Sequence, residues 1–325
     1  MNASRAIGGT PAGDSITSFL DSTMTDGIDR DTTESATSPS APAARLPDAV
    51  RLGQVRLQVS DLARSLDYYT TVLGLEPREA SAGSAALHAA NESEPLVELV
   101  ERRGSSPVRA NSRLGLYHYA ILLPDRMALG RFLAHLARSG TRLGASDHLV
   151  SEALYLRDPD GLGIEVYADR PRSTWRRVDG ELAMATEPLD TAGVIAAGEG
   201  EPWTGMPEGT VMGHLHLHVG DIDAASRFYH GALGLDRTVW SYPGALFLSA
   251  GGYHHHLGVN TWAGRAAPAS EDDARLLEWR IVLPSENDVD AVTDRLEAAG
   301  HAVVGERSGS LTADPWGTPL RLTAD

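Results

Sequence analysis

The clearest pattern in the chain is a stretch of alternating hydrophobic residues followed by helical spacing, and it occurs twice. The two copies read LGQVRLQVSDLARSLDYYTTVLGLEP from Leu52 and MGHLHLHVGDIDAASRFYHGALGLDR from Met212. Period-two alternation predicts a half-buried strand, and the later spacing predicts a helix. Both helical patterns end at Leu-Gly-Leu, where Gly74 and Gly234 are typical helix-terminating residues. We therefore interpret the two stretches as copies of one strand–helix unit.

A weaker second pair of stretches repeats the same order of elements. GLYHYAILLPDRMALGRFLAHLARSG begins at Gly115 and LLEWRIVLPSENDVDAVTDRLEAAG begins at Leu276, and both lead to a closing hairpin, DPDGLGIEVYAD or DPWGTPLRLTAD. The chain is therefore predicted to contain four units, each with a strand, a helix and further strands. Spacings of 64, 96 and 64 residues separate the aligned first-strand positions Gln54, His118, His214 and Glu278.

The longer middle interval predicts a division of the chain into two halves. The N-terminal half covers residues 47–170, the C-terminal half covers 208–325, and a linker with Pro and Gly occupies 171–207. The four units are assigned to residues 48–110, 111–170, 208–270 and 271–325. Residues 1–46 are rich in Ser, Thr, Ala, Gly, Pro and Asp, a composition that predicts a disordered tail.

Composition narrows the chemistry that this chain can perform. It has 12 His, no Cys and a net charge of −16, and every basic residue is Arg. Without Cys or Lys there is no thiolate metal site, disulfide or lysine Schiff base. Histidines and carboxylates remain, and they suit acid–base chemistry or a hard to borderline metal. The acidity disfavours a nucleic-acid or membrane partner, and the lack of a spanning or signal-type segment predicts a cytoplasmic protein.

Four longer strings of the sequence resemble those of the vicinal oxygen chelate superfamily, which includes glyoxalases, bleomycin-resistance proteins and extradiol dioxygenases. They are GLYHYAILLPDR, SEALYLRDPDGLGIEVYADRPRSTW, GHLHLHVGDI and SAGGYHHHLGVNTWAG. The likeness is greatest to the two-domain bacterial catechol 2,3-dioxygenases and covers residues 48–325. It implies an α+β fold in which four βαβββ modules form two cup-shaped, curled mixed sheets with the helices outside.

This resemblance implies one Fe(II) ion held by two histidines and one carboxylate. The second unit offers His118 and Glu165, and the third unit offers His214 at the position aligned with His118. Such a facial triad leaves the remaining coordination positions open for a catechol, or a substituted catechol, and for O₂. The implied product is a 2-hydroxymuconic semialdehyde.

The resemblance also assigns roles to residues around the iron. In YHHHLGVN, His255 matches the acid–base histidine, although a shift of one residue leaves His254 and His256 open. His148 matches another active-site histidine, and Tyr155 matches a tyrosine near a substrate hydroxyl. A neutral imidazole near the iron suits removal of a catechol proton.

The aligned positions of the first and fourth units do not form an equivalent ligand set. They carry Gln54 and Glu98 in one unit, and Glu278 and Arg321 in the other. A guanidinium repels a metal cation. We therefore predict that the second and third units face each other around the iron, while the first and fourth form a degenerate cup in which Glu278 pairs with Arg321.

Two other functions are compatible with the same superfamily. A glyoxalase-like lyase or isomerase would use Gln54, Glu98, His118 and Glu165 to hold Zn²⁺ or Ni²⁺, but it leaves His214 and the YHHH string unexplained. A metal-free binding protein of the bleomycin-resistance kind would hold an aromatic ligand without reacting. A homo-oligomer also stays open, because exposed sheet edges in such folds are often covered by a second copy.

Overall fold

The structure is a computed structural model, and it describes residues 44–325. Each of the four units contains one strand, one helix and three further strands. The first has β1 (Arg51–Val59), α1 (Leu62–Thr71), β2 (Glu76–Arg78), β3 (Ser84–His88) and β4 (Val97–Glu101). The second has β5 (Gly115–Leu122), α2 (Arg126–Ser139), β6 (Gly144–Asp147), β7 (Ser151–Arg157) and β8 (Gly163–Asp169).

The second half of the chain repeats this order after an intervening segment. That segment contains a 3₁₀ turn (Arg172–Thr174), β9 (Arg177–Val178), β10 (Glu181–Leu182) and α3 (Thr191–Ala197). The third unit has β11 (Val211–His218), α4 (Ile222–Ser226) with a π-helical turn (Arg227–Ala232), β12 (Asp236–Val239), β13 (Ala245–Ser249) and β14 (Leu257–Asn260). The fourth has β15 (Arg275–Leu283), α5 (Glu286–Ala298), β16 (Val304–Glu306), β17 (Gly309–Ala313) and β18 (Pro319–Ala324).

The four units combine into two mixed sheets of eight strands. One sheet has the order β16-β17-β18-β15-β1-β4-β3-β2 and joins the fourth unit to the first. The other has the order β12-β13-β14-β11-β5-β8-β7-β6 and joins the third unit to the second. We call these the 1–4 sheet and the 2–3 sheet. The α+β fold is confirmed, and the strand order agrees with the predicted pairing of units.

Alternation along the strands separates a hydrophobic face of the 2–3 sheet from a polar one. On β11, Leu215 and Leu217 belong to the main hydrophobic core, and the intervening residues are histidines. On β8, Ile164 and Val166 lie in that core, so Glu165 lies on the opposite face, because successive strand residues point to opposite sides. Helices α1, α2 and α5 pack on β4, β8 and β18. The polar face is therefore the one on which functional side chains accumulate.

Two β-bulges bend the centre of the 2–3 sheet. Tyr117 is the extra residue where β5 pairs with β11 between His216 and Leu217, and Gly213 is the extra residue between Met212 and His214. A bulge locally increases twist and redirects side chains. At Gly213, a Cβ atom would lie 1.9 Å from the hydroxyl of Tyr167, so only glycine fits there without a shift of that ring.

The outer parts of the chain contribute to the same core. The side chain of Leu46 is buried, and its backbone N–H donates to the carbonyl of Gly234 at 3.0 Å. The described core contacts thus begin at Leu46, at the predicted end of the tail. The predicted disorder of residues 1–43 lies outside the described residues. Between residues 44 and 325, no helix is long and apolar enough to cross a membrane.

Candidate metal centre

Three side chains predicted as metal ligands meet on the polar face of the 2–3 sheet. The Nε2 atoms of His118 and His214 lie 3.0 Å and 3.2 Å from the same oxygen, Oε2 of Glu165. One potential ligand atom from each residue lies within 4.8 Å of the other two. Central strands β5 and β11 carry the histidines, and β8 carries the carboxylate next to β5. Within residues 44–325, this is the one group of three or more His, Cys, Asp or Glu residues close enough to share an ion.

Burial and charge prepare these three groups to bind a cation. All three side chains are buried, and desolvation lowers the pKa of His118 and of His214, which favours the neutral imidazoles that metals require. Burial alone would raise the pKa of Glu165, but its electrostatic interactions with His214 and His118 hold that pKa well below its usual value.

The donor set also fits a divalent metal. The Nε2 atom of His118 is buried without a hydrogen-bond partner, although it points to within 3.0 Å of the carboxylate. Such an orphaned donor or acceptor costs free energy unless something satisfies it. Two imidazole nitrogens and a carboxylate oxygen on one side match the facial triad of mononuclear Fe(II) sites, and they also suit other borderline divalent ions.

His148 and Tyr155 form one hydrogen-bonded pair beside this triad. The Nε2 atom of His148 lies 2.6 Å from the hydroxyl of Tyr155, and its Nδ1 atom lies 2.7 Å from the carbonyl oxygen of Ala185. The Tyr155 ring centroid is 5.6 Å from that of His118. Burial, followed by the charge of Glu165, raises the pKa of Tyr155 well above its usual value, so this hydroxyl stays a proton donor at neutral pH.

The three consecutive histidines point in different directions. The ring of His255 contacts the ring of His214 with a centroid distance of 4.1 Å. His254 lies farther from His214, at 5.9 Å, and its Nε2 atom is 2.9 Å from Oδ1 of Asp169. His256 directs its Nδ1 atom to the hydroxyl of Ser249 at 3.0 Å. His255 therefore lies closer than His254 to the candidate ligand His214.

Aromatic side chains line the polar face of the 2–3 sheet beside the triad. His216 lies 5.1 Å from the His118 ring, and its own ring contacts Tyr117, Phe247 and Trp262 at centroid distances of 5.2, 5.6 and 5.6 Å. Flat, mostly apolar rings of this kind suit a planar aromatic ligand.

Residues at the corresponding positions of the 1–4 sheet are joined by ion pairs. Arg321 binds Glu278 through two hydrogen bonds, from Nε at 2.7 Å and from Nη2 at 2.6 Å. Glu98 accepts from Nε of Arg56 at 2.8 Å. Gln54 lies on β1 in this same sheet. The predicted pair of Glu278 with Arg321 is confirmed, and neither Gln54 nor Glu98 belongs to the group that includes His118 and Glu165.

The side chains that surround His254, His255 and His256 were not predicted from the sequence. Asp169 and Tyr167 follow Glu165 at alternate positions of β8 and therefore lie on the same face. The Tyr167 and Tyr253 hydroxyls are 2.7 Å apart, and Trp175 packs 5.3 Å from the ring of His254. The signal for Tyr167 and Asp169 was the i, i+2, i+4 spacing in EVYAD, whereas the contact of Trp175 depends on a long loop.

Comparison with known proteins assigns the class of this protein. The sequence matches the glyoxalase/bleomycin resistance protein/dioxygenase superfamily over residues 51–166 and 211–318. The chain belongs to this superfamily, so the resemblance in its sequence is confirmed. It is also 43% identical over 268 residues to the catechol-2,3-dioxygenase of Bacillus subtilis strain 168, covering 81% of this chain and 93% of that protein.

Solved structures agree with this fold at much lower sequence identity. A provisionally named dioxygenase from Bacillus subtilis superimposes with a TM-score of 0.57 at 14% identity, covering 87% of this chain and 86% of that one. Glyoxalase I from Zea mays superimposes with a TM-score of 0.50 at 16% identity, covering 85% and 92% of the two chains. Likeness at this level of identity reports on the fold alone.

Proposed function

We propose that this protein is an Fe(II)-dependent extradiol dioxygenase that cleaves catechol or a substituted catechol with O₂. The observation that carries the proposal is the buried triad of His118, Glu165 and His214, which is assembled from two units in different halves of the chain. The similarity to a catechol-2,3-dioxygenase over most of the chain supports the same activity. The reaction breaks the ring bond next to the diol, incorporates both oxygen atoms and yields a 2-hydroxymuconic semialdehyde-type product. We also propose that the enzyme acts in the breakdown of aromatic compounds and that it does so in the cytoplasm.

His118, His214 and Glu165 would hold the iron. When bound, Fe(II) supplies the open coordination positions and the redox chemistry through which the diol and O₂ react. The protein's own task is to fix the three ligands on one side, and the central strands do this without loops. Because all three residues are buried, the site also keeps water away from the reaction.

Tyr155, His148 and His255 would handle the protons and orient the diol. A neutral His148 that donates from Nδ1 to the carbonyl of Ala185 accepts the Tyr155 O–H at Nε2, at 2.6 Å, so the Tyr155 oxygen is left to accept a hydrogen bond from a substrate hydroxyl. His255 would accept a proton from the diol and return it to an oxygen atom of the product as the ring opens. Desolvation lowers the pKa of His255 well below its usual value, and the neighbouring histidines add to this effect, so the free imidazole can act as a base.

The decisive experiment is anaerobic reconstitution with Fe(II) followed by addition of catechol in air. We expect one O₂ consumed per catechol and a yellow ring-fission product. His214→Ala should lose both iron binding and activity, whereas Gln54→Ala, altered in the 1–4 sheet, should keep both. Absence of O₂ uptake with any simple catechol, despite stoichiometric bound Fe(II), would refute the dioxygenase assignment.

The same variants separate this proposal from a glyoxalase-like enzyme. That function needs Gln54 and Glu98 beside His118 and Glu165, but Glu98 is paired with Arg56 in the other sheet. A glyoxalase-like site would therefore be lost in Gln54→Ala and retained in His214→Ala, the opposite of our expectation. A metal-free binding protein would retain ligand binding in both variants.

A further inference from the structure

A line of hydrogen bonds connects the carboxyl end of β8 to His255 through side chains other than the three candidate metal ligands. It starts at Asp169, the last residue of β8, whose Oδ1 atom lies 2.9 Å from Nε2 of His254. The Nδ1 atom of His254 in turn lies 2.7 Å from Nδ1 of His255. The hydroxyl of Tyr253 donates to the same oxygen of Asp169 at 3.3 Å.

The chemistry of these groups fixes the direction of each hydrogen bond. A carboxylate can only accept, so the Nε2 atom of His254 must carry a hydrogen. A neutral imidazole carries a single N–H, and in His254 that hydrogen is the one on Nε2. Its Nδ1 atom is then an acceptor, and the hydrogen between the two rings belongs to Nδ1 of His255. Neutral His255 therefore has a bare Nε2 atom.

The surroundings of His254 hold this arrangement in place. The His254 ring contacts Tyr253 at 4.1 Å, Trp175 at 5.3 Å and Tyr167 at 5.9 Å, so it has little room to flip. The side chain of Asp169 is 25% exposed, and water can therefore stabilise its charge. A carboxylate that selects a histidine tautomer through a fixed hydrogen bond is an established catalytic device.

We propose that Asp169 is a positioning residue that sets the tautomer of His255 through His254, leaving Nε2 of His255 as the acceptor for a substrate proton. The role of Nε2 as a proton acceptor rests on the proposed dioxygenase function, whereas the tautomer of His255 does not. His255 itself contacts the candidate ligand His214 at 4.1 Å. Asp169 contacts neither His255 nor His214, so it acts on His255 through the ring of His254.

The direct test is ¹⁵N NMR of the imidazoles in the full-length, metal-free protein. Long-range ¹H–¹⁵N correlations distinguish the two neutral tautomers and the cation, and His254→Gln and His255→Gln assign the signals. We expect His254 with hydrogen on Nε2 and His255 with hydrogen on Nδ1. A wild-type His255 with hydrogen on Nε2, or a doubly protonated His254, would overturn the proposal.

Substitution of Asp169 tests its causal role. Asp169→Leu removes every acceptor atom, and we expect His255 to become a mixture of tautomers. Asp169→Ala serves the same purpose if the leucine variant does not fold. Tyr253→Phe is the matched control, because it removes the other donor to Asp169 and should leave both tautomers unchanged. An unchanged His255 tautomer in a folded Asp169 variant would show that Asp169 does not set it.

Activity provides an independent second readout. In iron-loaded Asp169→Leu, we expect kcat to fall by about tenfold to hundredfold, with equal iron content and little change in KM for catechol, since Asp169 does not touch the substrate. A loss of iron, or a rise in KM alone, would indicate a structural role instead. If wild-type protein lacks ring-cleaving activity, the proposed function fails while the NMR result still decides the tautomer.

Discussion

Removal of Arg321 should destabilise the protein because it leaves a buried carboxylate without its partner. The guanidinium makes two hydrogen bonds to Glu278, and both side chains are less than a tenth exposed. It also donates to Glu306 and to the hydroxyl of Ser308, each at 3.0 Å. The perturbation we choose is Arg321→Met, which keeps most of the side-chain length but none of the donors.

The expected cost follows from the burial of the pair. Breaking a buried ion pair by removing one partner typically costs about 3–5 kcal/mol, since the remaining charge is uncompensated. Glu306 is 42% exposed and can be rehydrated, so most of the cost comes from Glu278. For a chain of this size, each kcal/mol lowers Tm by roughly 2 °C. Arg321→Met should therefore lower Tm by roughly 6–10 °C.

Thermal and urea unfolding followed by circular dichroism measure this effect. The matched control is Arg51→Met, because Arg51 pairs with Asp325 at 2.5 Å but both side chains are about half exposed or more. We expect a loss below about 1 kcal/mol there. The double variant Glu278→Met/Arg321→Met removes both charges and should recover most of the lost stability.

Two results would refute this reasoning. If Arg321→Met lost no more stability than Arg51→Met, the carboxylate of Glu278 would not depend on its partner. If the double variant were as unstable as the single one, lost packing rather than an unpaired charge would account for the effect.

Three other substitutions test separate features of the structure. Burial raises the pKa of Asp158 to about 7; the folded state then binds a proton more tightly than the unfolded state, so stability contributed by this group falls as pH rises from about 4 through 7. Asp158→Asn should remove that fall, so the free energy of unfolding of the variant, measured in urea, should rise by up to about 4 kcal/mol relative to wild type between pH 4 and pH 8. Free energies of unfolding that change with pH in the same way in both proteins would contradict this. Gly213→Ala should cost about 1–3 kcal/mol in thermal unfolding, because its Cβ would meet the Tyr167 hydroxyl, and a wild-type Tm would show that the ring moves freely. Tyr155→Phe should reduce kcat/KM about tenfold by removing one hydrogen bond, and unchanged kinetics would exclude a role for this hydroxyl.

Periodicity in the sequence was sufficient to predict the four units, but it did not predict how they pair. The decisive observation was chemical: Arg321 occupies the aligned position at which Glu165 could ligate a metal. Because a cation and a guanidinium do not share one site, the first and fourth units had to pair with each other. The strand pairing bears this out, since β1 pairs with β15 in one sheet and β11 pairs with β5 in the other.

The remaining features depend on contacts that local patterns do not encode. Alternation placed His214 and His216 on one face, but it could not locate the bulge that brings the Tyr117 ring to 4.8 Å from His118. The three-residue run of histidines has no periodicity, so its contacts with Asp169 and Ser249 follow only from the packing of β8 and β13.

The two sheets solve the same electrostatic problem in different ways. In each, a carboxylate is buried on a central part of the sheet, where an uncompensated charge is costly. In the 1–4 sheet, Arg321 on β18 supplies the positive charge to Glu278 on β15, and the pair is complete within the chain. In the 2–3 sheet, Glu165 on β8 faces two histidines whose lowered pKa values favour neutral rings. Neutral imidazoles offer hydrogen bonds but no full charge, so the negative charge of this carboxylate is available to a cation. Arg321 thus completes the charge balance of the 1–4 sheet within the chain, whereas the glutamate at the aligned position of the 2–3 sheet belongs to a group of ligands suited to a cation.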